Sequence, residues 1–127
     1  MKLLIVDDDK TTRKLLGLYL KSKGYEVASA ENGIDALEKL GTESINLVVT
    51  DMNMPYMDGI ELTKTLRSDI NLKDIPIIMV TTEADEDEKK KAFDAGVDDY
   101  LVKPTNADKI NESIKRIFKK IFSGGGE

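Results

Sequence analysis

Short apolar runs alternate along the chain with stretches whose apolar residues recur every three or four positions. The runs are Leu3–Val6, Tyr25–Ala30, Asn46–Val49, Pro76–Val80 and Tyr100–Val102. Three to six residues is strand length, and runs apolar on both faces suit a buried sheet. Between them, Leu15, Leu16, Tyr19 and Leu20 mark one helix, which Gly24 ends. Ile34, Leu37 and Leu40 mark a second after the Asn32-Gly33 turn, and Leu62 and Leu66 a third opened by Asp58-Gly59. Ala92 and Phe93 lie on the apolar face of a fourth, which stops at Gly96. Ile110, Ile114, Ile117, Phe118 and Ile121 trace the clearest amphipathic stripe, which a sheet should bury.

Strand and helix thus alternate five times. That pattern predicts an α/β fold with a parallel sheet covered on both faces. Right-handed crossovers restrict the topology, and five units fit a doubly wound, flavodoxin-like sheet of order 2-1-3-4-5 with five helices. One domain over 1–122 is expected. The closing SGGGE, 123–127, reads as a flexible tail.

In such a sheet, ligands bind beyond the carboxyl ends of the strands, where the strand order reverses. The first run is followed by Asp7, Asp8 and Asp9, and the third leads into Asp51. The fourth is followed by Thr81 and Thr82, and the fifth by Lys103 and Pro104. Crowded carboxylates repel one another, and a hard cation such as Mg²⁺ relieves this through oxygen ligands. Lysine is a compact point charge for a phosphoryl oxygen, and a threonine hydroxyl can donate to another. Carboxylate, divalent cation, lysine and hydroxyl together form a phosphoryl-transfer set with Asp51 as nucleophile.

Taken singly, each residue has a plainer reading. The acidic triplet could cap a helix, Thr81 or Thr82 could cap the next one, and Lys-Pro is ordinary loop chemistry. Met52, Met54 and Met57 suit packing better than metal binding. Only the convergence of four strand ends favours a site.

Composition narrows the chemistry further. There is no cysteine and no histidine among the 127 residues, which excludes thiolate zinc sites, disulfides, histidine metal ligands and a Ser-His-Asp triad. The net charge of -5 argues against a general nucleic-acid binder. MKLLIVDDD is too short in apolar residues for a signal peptide, and no run approaches a membrane span of roughly 20 residues. A cytoplasmic protein without membrane insertion is expected.

The segments LLIVDDD, ENGIDALEKL, VVTDMNMPYMDGIEL, PIIMVTTEAD and AFDAGVDDYLVKP resemble the response-regulator receiver domain, in order and at the expected intervals. DMNMPYMDG and MVTTEA are most similar to stand-alone chemotaxis-type regulators, with Tyr56 where Asn is commoner. The resemblance implies Asp51 as phosphoacceptor. It implies Mg²⁺ held by Asp7, Asp8, Asp51 and the Asn53 carbonyl, with Asp9 peripheral. Thr81 and Lys103 become the phosphoryl contacts, with a Lys103-Pro104 bond that is usually cis, and Tyr100 the switch aromatic. Asn53 and Glu83 sit where the family tunes dephosphorylation. The implied donor is a sensor histidine kinase or phosphotransfer protein, which supplies the histidine missing here. The implied downstream protein target docks on the fourth helix, fifth strand and fifth helix, without nucleic acid.

A phosphorylation-activated signalling switch, not an enzyme in its own right, is therefore the expected function. A phosphorelay intermediate is the alternative. A haloacid-dehalogenase-like phosphatase is weaker, since it wants an acid two residues after the nucleophile and Asn53 stands there. Nucleotide enzymes lack their motifs: there is no Walker sequence and no G-x-G-x-x-G. Charge patterning adds an acidic start to the fourth helix, Asp85–Glu88, and a basic last helix with Lys115, Arg116, Lys119 and Lys120. Both suit helix dipoles, and both could also serve docking.

Overall fold

A computed structural model describes the backbone of residues 1–125 and the side chains of residues 1–122. The expected tail, 123–127, thus lies outside the fully described residues. Five strands and five helices alternate: β1 (Lys2–Val6), α1 (Lys10–Ser22), β2 (Glu26–Ala30), α2 (Gly33–Thr42), β3 (Leu47–Thr50), α3 (Gly59–Ser68), β4 (Ile77–Thr81), α4 (Glu86–Ala95), β5 (Asp99–Val102) and α5 (Ala107–Gly125). All strand pairs are parallel, in the order β2-β1-β3-β4-β5. The expected doubly wound order is the observed one.

The continuous apolar strands follow from cover on both faces. Alternate residues point to opposite sides. Leu4, Val6, Val48 and Met79 meet Ala36, Leu40, Leu62, Leu66 and Ala92 from α2, α3 and α4. Leu3, Ile5, Val49 and Ile78 meet Leu20, Ile110, Ile114 and Ile117 from α1 and α5. Asp9, Asn32, Asp58 and Asp85 are the N-caps of α1 to α4, accepting from the amides of Thr12, Asp35, Glu61 and Asp87. Such a cap stabilises by about 1 kcal/mol. Asp9 therefore ends as a cap, and Asp85, not Thr81 or Thr82, caps α4.

Several apolar positions differ from the expected pattern. Leu15, Tyr19 and Ile34 are exposed, as is Phe93 at 42%. On α1 the sheet takes Gly17 and Leu20, with Leu16 partly covered, because the space beside α5 is left open. Ile121 is also exposed, at 47%. α5 has 19 residues, about 28 Å at helical rise, whereas five strand residues span about 17 Å. The helix outruns the sheet, so the stripe is buried only as far as Ile117.

One side chain joins three elements on the far side of the sheet from the strand ends. Arg67 donates to the carbonyls of Gly96, Lys73 and Ile75 and to Asp98 Oδ2, at 2.7 to 3.0 Å. Asp98 Oδ2 in turn accepts from the Ile77 amide at 2.8 Å. Arg67→Ala leaves these acceptors without their donor and should destabilise by about 2–4 kcal/mol in urea melts. Arg67→Lys should not restore it, because one ammonium cannot reproduce the planar fork. A loss within experimental error would show that solvent replaces these bonds freely.

Candidate functional site

Register builds the site. Val6 pairs with Thr50, so the next residues, Asp7 and Asp51, leave the sheet side by side. The Asp51 amide donates to the Val6 carbonyl at 2.9 Å and fixes that level. On the other side Thr81 pairs with Val102, and the Lys103 amide donates to the Thr81 carbonyl at 2.7 Å. Lys103 thereby follows the last strand at the same end. Its bond to Pro104 is cis.

Lys103 Nζ lies 3.1 Å from Asp7 Oδ2 and 3.4 Å from Asp51 Oδ2. Each acid gives its second oxygen to the backbone: Asp7 Oδ1 accepts from the Asp9 amide at 2.9 Å, and Asp51 Oδ1 from the Met52 amide at 2.7 Å. Asp7, Asp8 and Asp51 each bring a carboxylate oxygen within 4.8 Å of the others. All three donors are hard oxygens, which fits Mg²⁺ and not a softer metal. Asp8 is the exposed member of the three, while Asp7 is buried.

Burial raises the Asp51 pKa above the usual carboxylate value, Lys103 opposes that, and Asp7 adds to it. Burial pulls Lys103 down, but its hydrogen bond to Asp7 and the charges of Asp51 and Asp7 leave it raised overall. The site is therefore short of positive charge: one lysine faces two acids and a third nearby.

Around the mouth, Thr81 is fully buried, and its hydroxyl accepts from the Glu83 amide at 3.2 Å. Thr82 is exposed. Asn53 Nδ2 reaches Glu83 Oε1 at 3.4 Å, so those two side chains meet at the rim. Tyr100 is buried, donates to the Glu83 carbonyl at 2.6 Å, and lies against Phe93 with ring centroids 6.4 Å apart. Burial raises the Tyr100 pKa. The structure thus brings together Asp7, Asp8, Asp51, Asn53, Thr81, Glu83 and Lys103, with Tyr100 joined through the Glu83 backbone.

The loop after β3 is built for packing, as its methionines suggested. Met52 is buried, and Met54 and Met57 pack against the same cluster. Tyr56 has φ of 70°, the left-handed region, and its side chain is 86% exposed. An aromatic residue gains nothing there to offset the strain, whereas Asn adopts that conformation readily. Tyr56→Asn should raise stability by about 0.5–1 kcal/mol, read from the urea midpoint. A drop would mean that the exposed ring makes a contact that matters.

One residue escaped the sequence reading. Arg13 Nη1 donates to the Asp7 carbonyl at 2.7 Å, holding the backbone of the acidic loop from one turn inside α1. Its only sequence signal is its place one turn after the Asp9 cap, facing back. Arg116, one of the four basic residues noted in the last helix, is tied back to Asp99 at 2.5 Å beside Ser113. Lys115, Lys119 and Lys120 are exposed.

The acid cluster and the lysine thus gather at the switch point of a doubly wound sheet, where such folds bind their ligands. Residues 3–115 match the response regulator receiver domain, and the chain belongs to that family. It is 42% identical over 122 residues to the chemotaxis protein CheY of Pseudomonas aeruginosa, covering 95% of this chain and 98% of the relative. It is 44% identical over 117 residues to the chemotaxis protein CheY1 of Helicobacter pylori, covering 91% and 94%. Among solved structures, CheY4 of Vibrio cholerae superposes with a TM-score of 0.85 at 34% identity, covering 91% and 97%. A two-component response regulator from Clostridium difficile superposes at 0.88 with 29% identity, covering 95% and 98%. The protein is therefore a receiver domain, the switch module of two-component signalling. Among the described residues, no helix is long and apolar enough to cross a membrane.

Proposed function

We propose that this receiver domain takes a phosphoryl group from a phosphohistidine donor onto Asp51 and signals by changing the surface of α4, β5 and α5. The observation that carries the reading is Asp51 itself, with one oxygen held by the Met52 amide and the other facing Lys103 beside Asp7. A carboxylate oxygen attacks phosphorus, the nitrogen–phosphorus bond breaks, and the imidazole leaves with the electron pair. Asp7, Asp8, Asp51 and the Asn53 carbonyl would hold Mg²⁺, which when bound neutralises charge on the phosphoryl oxygens.

Lys103 then exchanges its two carboxylate partners for a phosphoryl oxygen, and the Thr81 hydroxyl, which accepts from the Glu83 amide and keeps its own proton free, swings to donate to another. That amide belongs to the residue whose carbonyl holds Tyr100, so the Thr81 movement bears on the aromatic. Asn53 and Glu83, which meet at the rim, would tune the loss of the phosphoryl group. The relatives' chemotaxis names favour a docking protein, acting in the cytoplasm on a protein target such as a flagellar-switch component.

The test combines metal and partner. Mg²⁺ at about a hundred times its Kd should raise the unfolding free energy by about 2.7 kcal/mol, and Asp8→Ala should remove that gain together with Asp51 labelling. Substituting Tyr100, or reversing the charges of Lys119 and Lys120, should weaken target binding while labelling proceeds at the normal rate. Labelling of Asp8→Ala at the wild-type rate would refute the metal assignment. Undiminished target affinity in both surface variants would move the output face elsewhere.

A further inference from the structure

The strand β2 and the helix beside it form an open groove of about 410 Å³. Lys10, Arg13, Lys14, Leu18 and Lys21 line it from α1, and Val27 and Ser29 from β2. Helical spacing puts the four cations on one face, over about 16 Å, which matches the length of a five-residue strand. No acid lines the groove. Among the described residues, none of the four cations is paired with an acid. Arg13 donates to the Asp7 carbonyl, a neutral partner that leaves its charge uncompensated. Asp9 feels that charge, but it caps α1 and stands outside the groove. In a chain of net charge -5, this face is a concentrated positive surface.

The other wall is a sheet edge. Among the described residues, β2 pairs with β1 alone. The Glu26 amide donates to the Met1 carbonyl at 3.0 Å, and the Ala30 carbonyl accepts from the Asp7 amide at 3.1 Å. In a parallel ladder only alternate residues bond a given neighbour, so Glu26, Ala28 and Ala30 face β1. Val27 and Ser29 turn their backbone N–H and C=O groups to the open side. These are the two β2 residues that line the groove. Proteins commonly block such an edge with lysine or proline on the strand itself, and β2, EVASA, has neither.

From this we infer that β2 and the basic face of α1 form a docking site for an extended acidic segment of a partner protein, which adds to the sheet as a sixth strand. Main-chain bonds to Val27 and Ser29 would supply the pairing, and alternate side chains the specificity. The side chains turned toward α1 lie about 6.8 Å apart along such a strand. The outer two would meet Lys10, Arg13 and Lys14 at one end and Lys21 at the other, so both should be acidic. The middle one would meet Leu18, 56% exposed, and Val27, so it should be apolar. The motif is therefore acid-x-apolar-x-acid, which reads alike in either chain direction. β2 is the opposite edge of the sheet from β5, so this site is separate from the α4, β5 and α5 surface.

The probe is a blocked heptapeptide in which threonines alternate with glutamate, valine and glutamate, titrated into the full chain and followed by amide chemical shifts. Saturable shifts should centre on Lys14, Leu18, Val27 and Ser29. Hydrogen exchange of the Val27 and Ser29 amides should slow about tenfold at saturation, because both become bonded. Three controls separate pairing from charge. A peptide with lysines for glutamates and one with prolines at its fourth and fifth positions should each bind at least about tenfold more weakly, as should inorganic tripolyphosphate. Lys14→Glu together with Lys21→Glu should weaken the glutamate peptide at least about tenfold while Asp51 labelling proceeds at the normal rate, and the melting temperature confirms that the variant is folded. Equal binding of tripolyphosphate would make the groove a simple anion site and overturn the inference. So would binding that leaves Val27 and Ser29 unprotected, an unchanged Kd in the folded double variant, or no saturable binding of the glutamate peptide.

Discussion

Asp51→Asn should abolish phosphoryl labelling altogether and, in the absence of Mg²⁺, make the domain more stable at neutral pH. The first effect follows because the amide is no nucleophile and no other carboxylate has the same register-set position between Asp7 and Lys103. The second follows from the charge balance. Burial and Asp7 raise the Asp51 pKa in the folded state, despite Lys103. A carboxyl whose folded pKa is raised contributes stability below its unfolded pKa and loses it as pH rises through the folded value. At neutral pH ionised Asp51 is therefore a liability, which asparagine removes. Lys103 keeps Asp7 as partner at 3.1 Å, and the asparagine oxygen can still accept from Met52.

The expected gain is about 1 kcal/mol in urea melts at pH 7, and it should shrink as pH falls through the raised folded value of Asp51 and be gone below the ordinary carboxylate value of about 4. Saturating Mg²⁺ should reverse the order by stabilising the wild type. A variant that is less stable than wild type at pH 7 without Mg²⁺ would show that Asp51 is held mainly by Lys103. Labelling that survives would place the nucleophile elsewhere.

Gly59→Ala should be strongly damaging for so small a change. A Cβ at Gly59 would lie 2.2 Å from the Asp51 carbonyl oxygen and 3.0 Å from Met52 Cα. Both are backbone atoms of the loop carrying the phosphoacceptor, so neither can rotate away. The Gly59 amide also donates to the Met52 carbonyl at 2.7 Å, holding the helix start against that loop. Alanine is favoured over glycine by up to about 1 kcal/mol inside a helix, but least so at a first residue. The overlap outweighs this, and a loss of about 3 kcal/mol is expected, at the upper end for overpacking. The displacement falls on Asp51, so labelling should slow even where the variant is kept folded at low temperature. Wild-type stability together with wild-type labelling would show that α3 and the loop can separate at no cost.

Much of this was legible from pattern alone. Strands apolar on both faces require helices on both faces, and right-handed crossovers then leave few strand orders. That logic reached the order 2-1-3-4-5 without coordinates. Asp51 and the acidic triplet stood out because acids at the ends of apolar strands have no packing role. Residue types decided the chemistry: without histidine or cysteine, only carboxylate and hydroxyl groups remained as acceptors.

Other features depend on distance in space. Arg13 on the Asp7 carbonyl, Arg67 across three elements and Arg116 on Asp99 look like ordinary surface cations in sequence, because their partners lie 6 to 31 positions away. The exposure of Leu15 and Tyr19 was hidden too. Helical spacing names an apolar stripe, but only the placement of α5 decides how much of it meets the sheet. Ile121 shows the same limit, since its burial depended on strand length and not on its own helix. The sequence by itself determined which residues could act and at which end of the sheet they would gather. The tertiary structure decided which cations are already engaged and where Tyr100 lies. Those outcomes depend on hydrogen-bond distances and packing between residues far apart in the chain, which local periodicity does not encode.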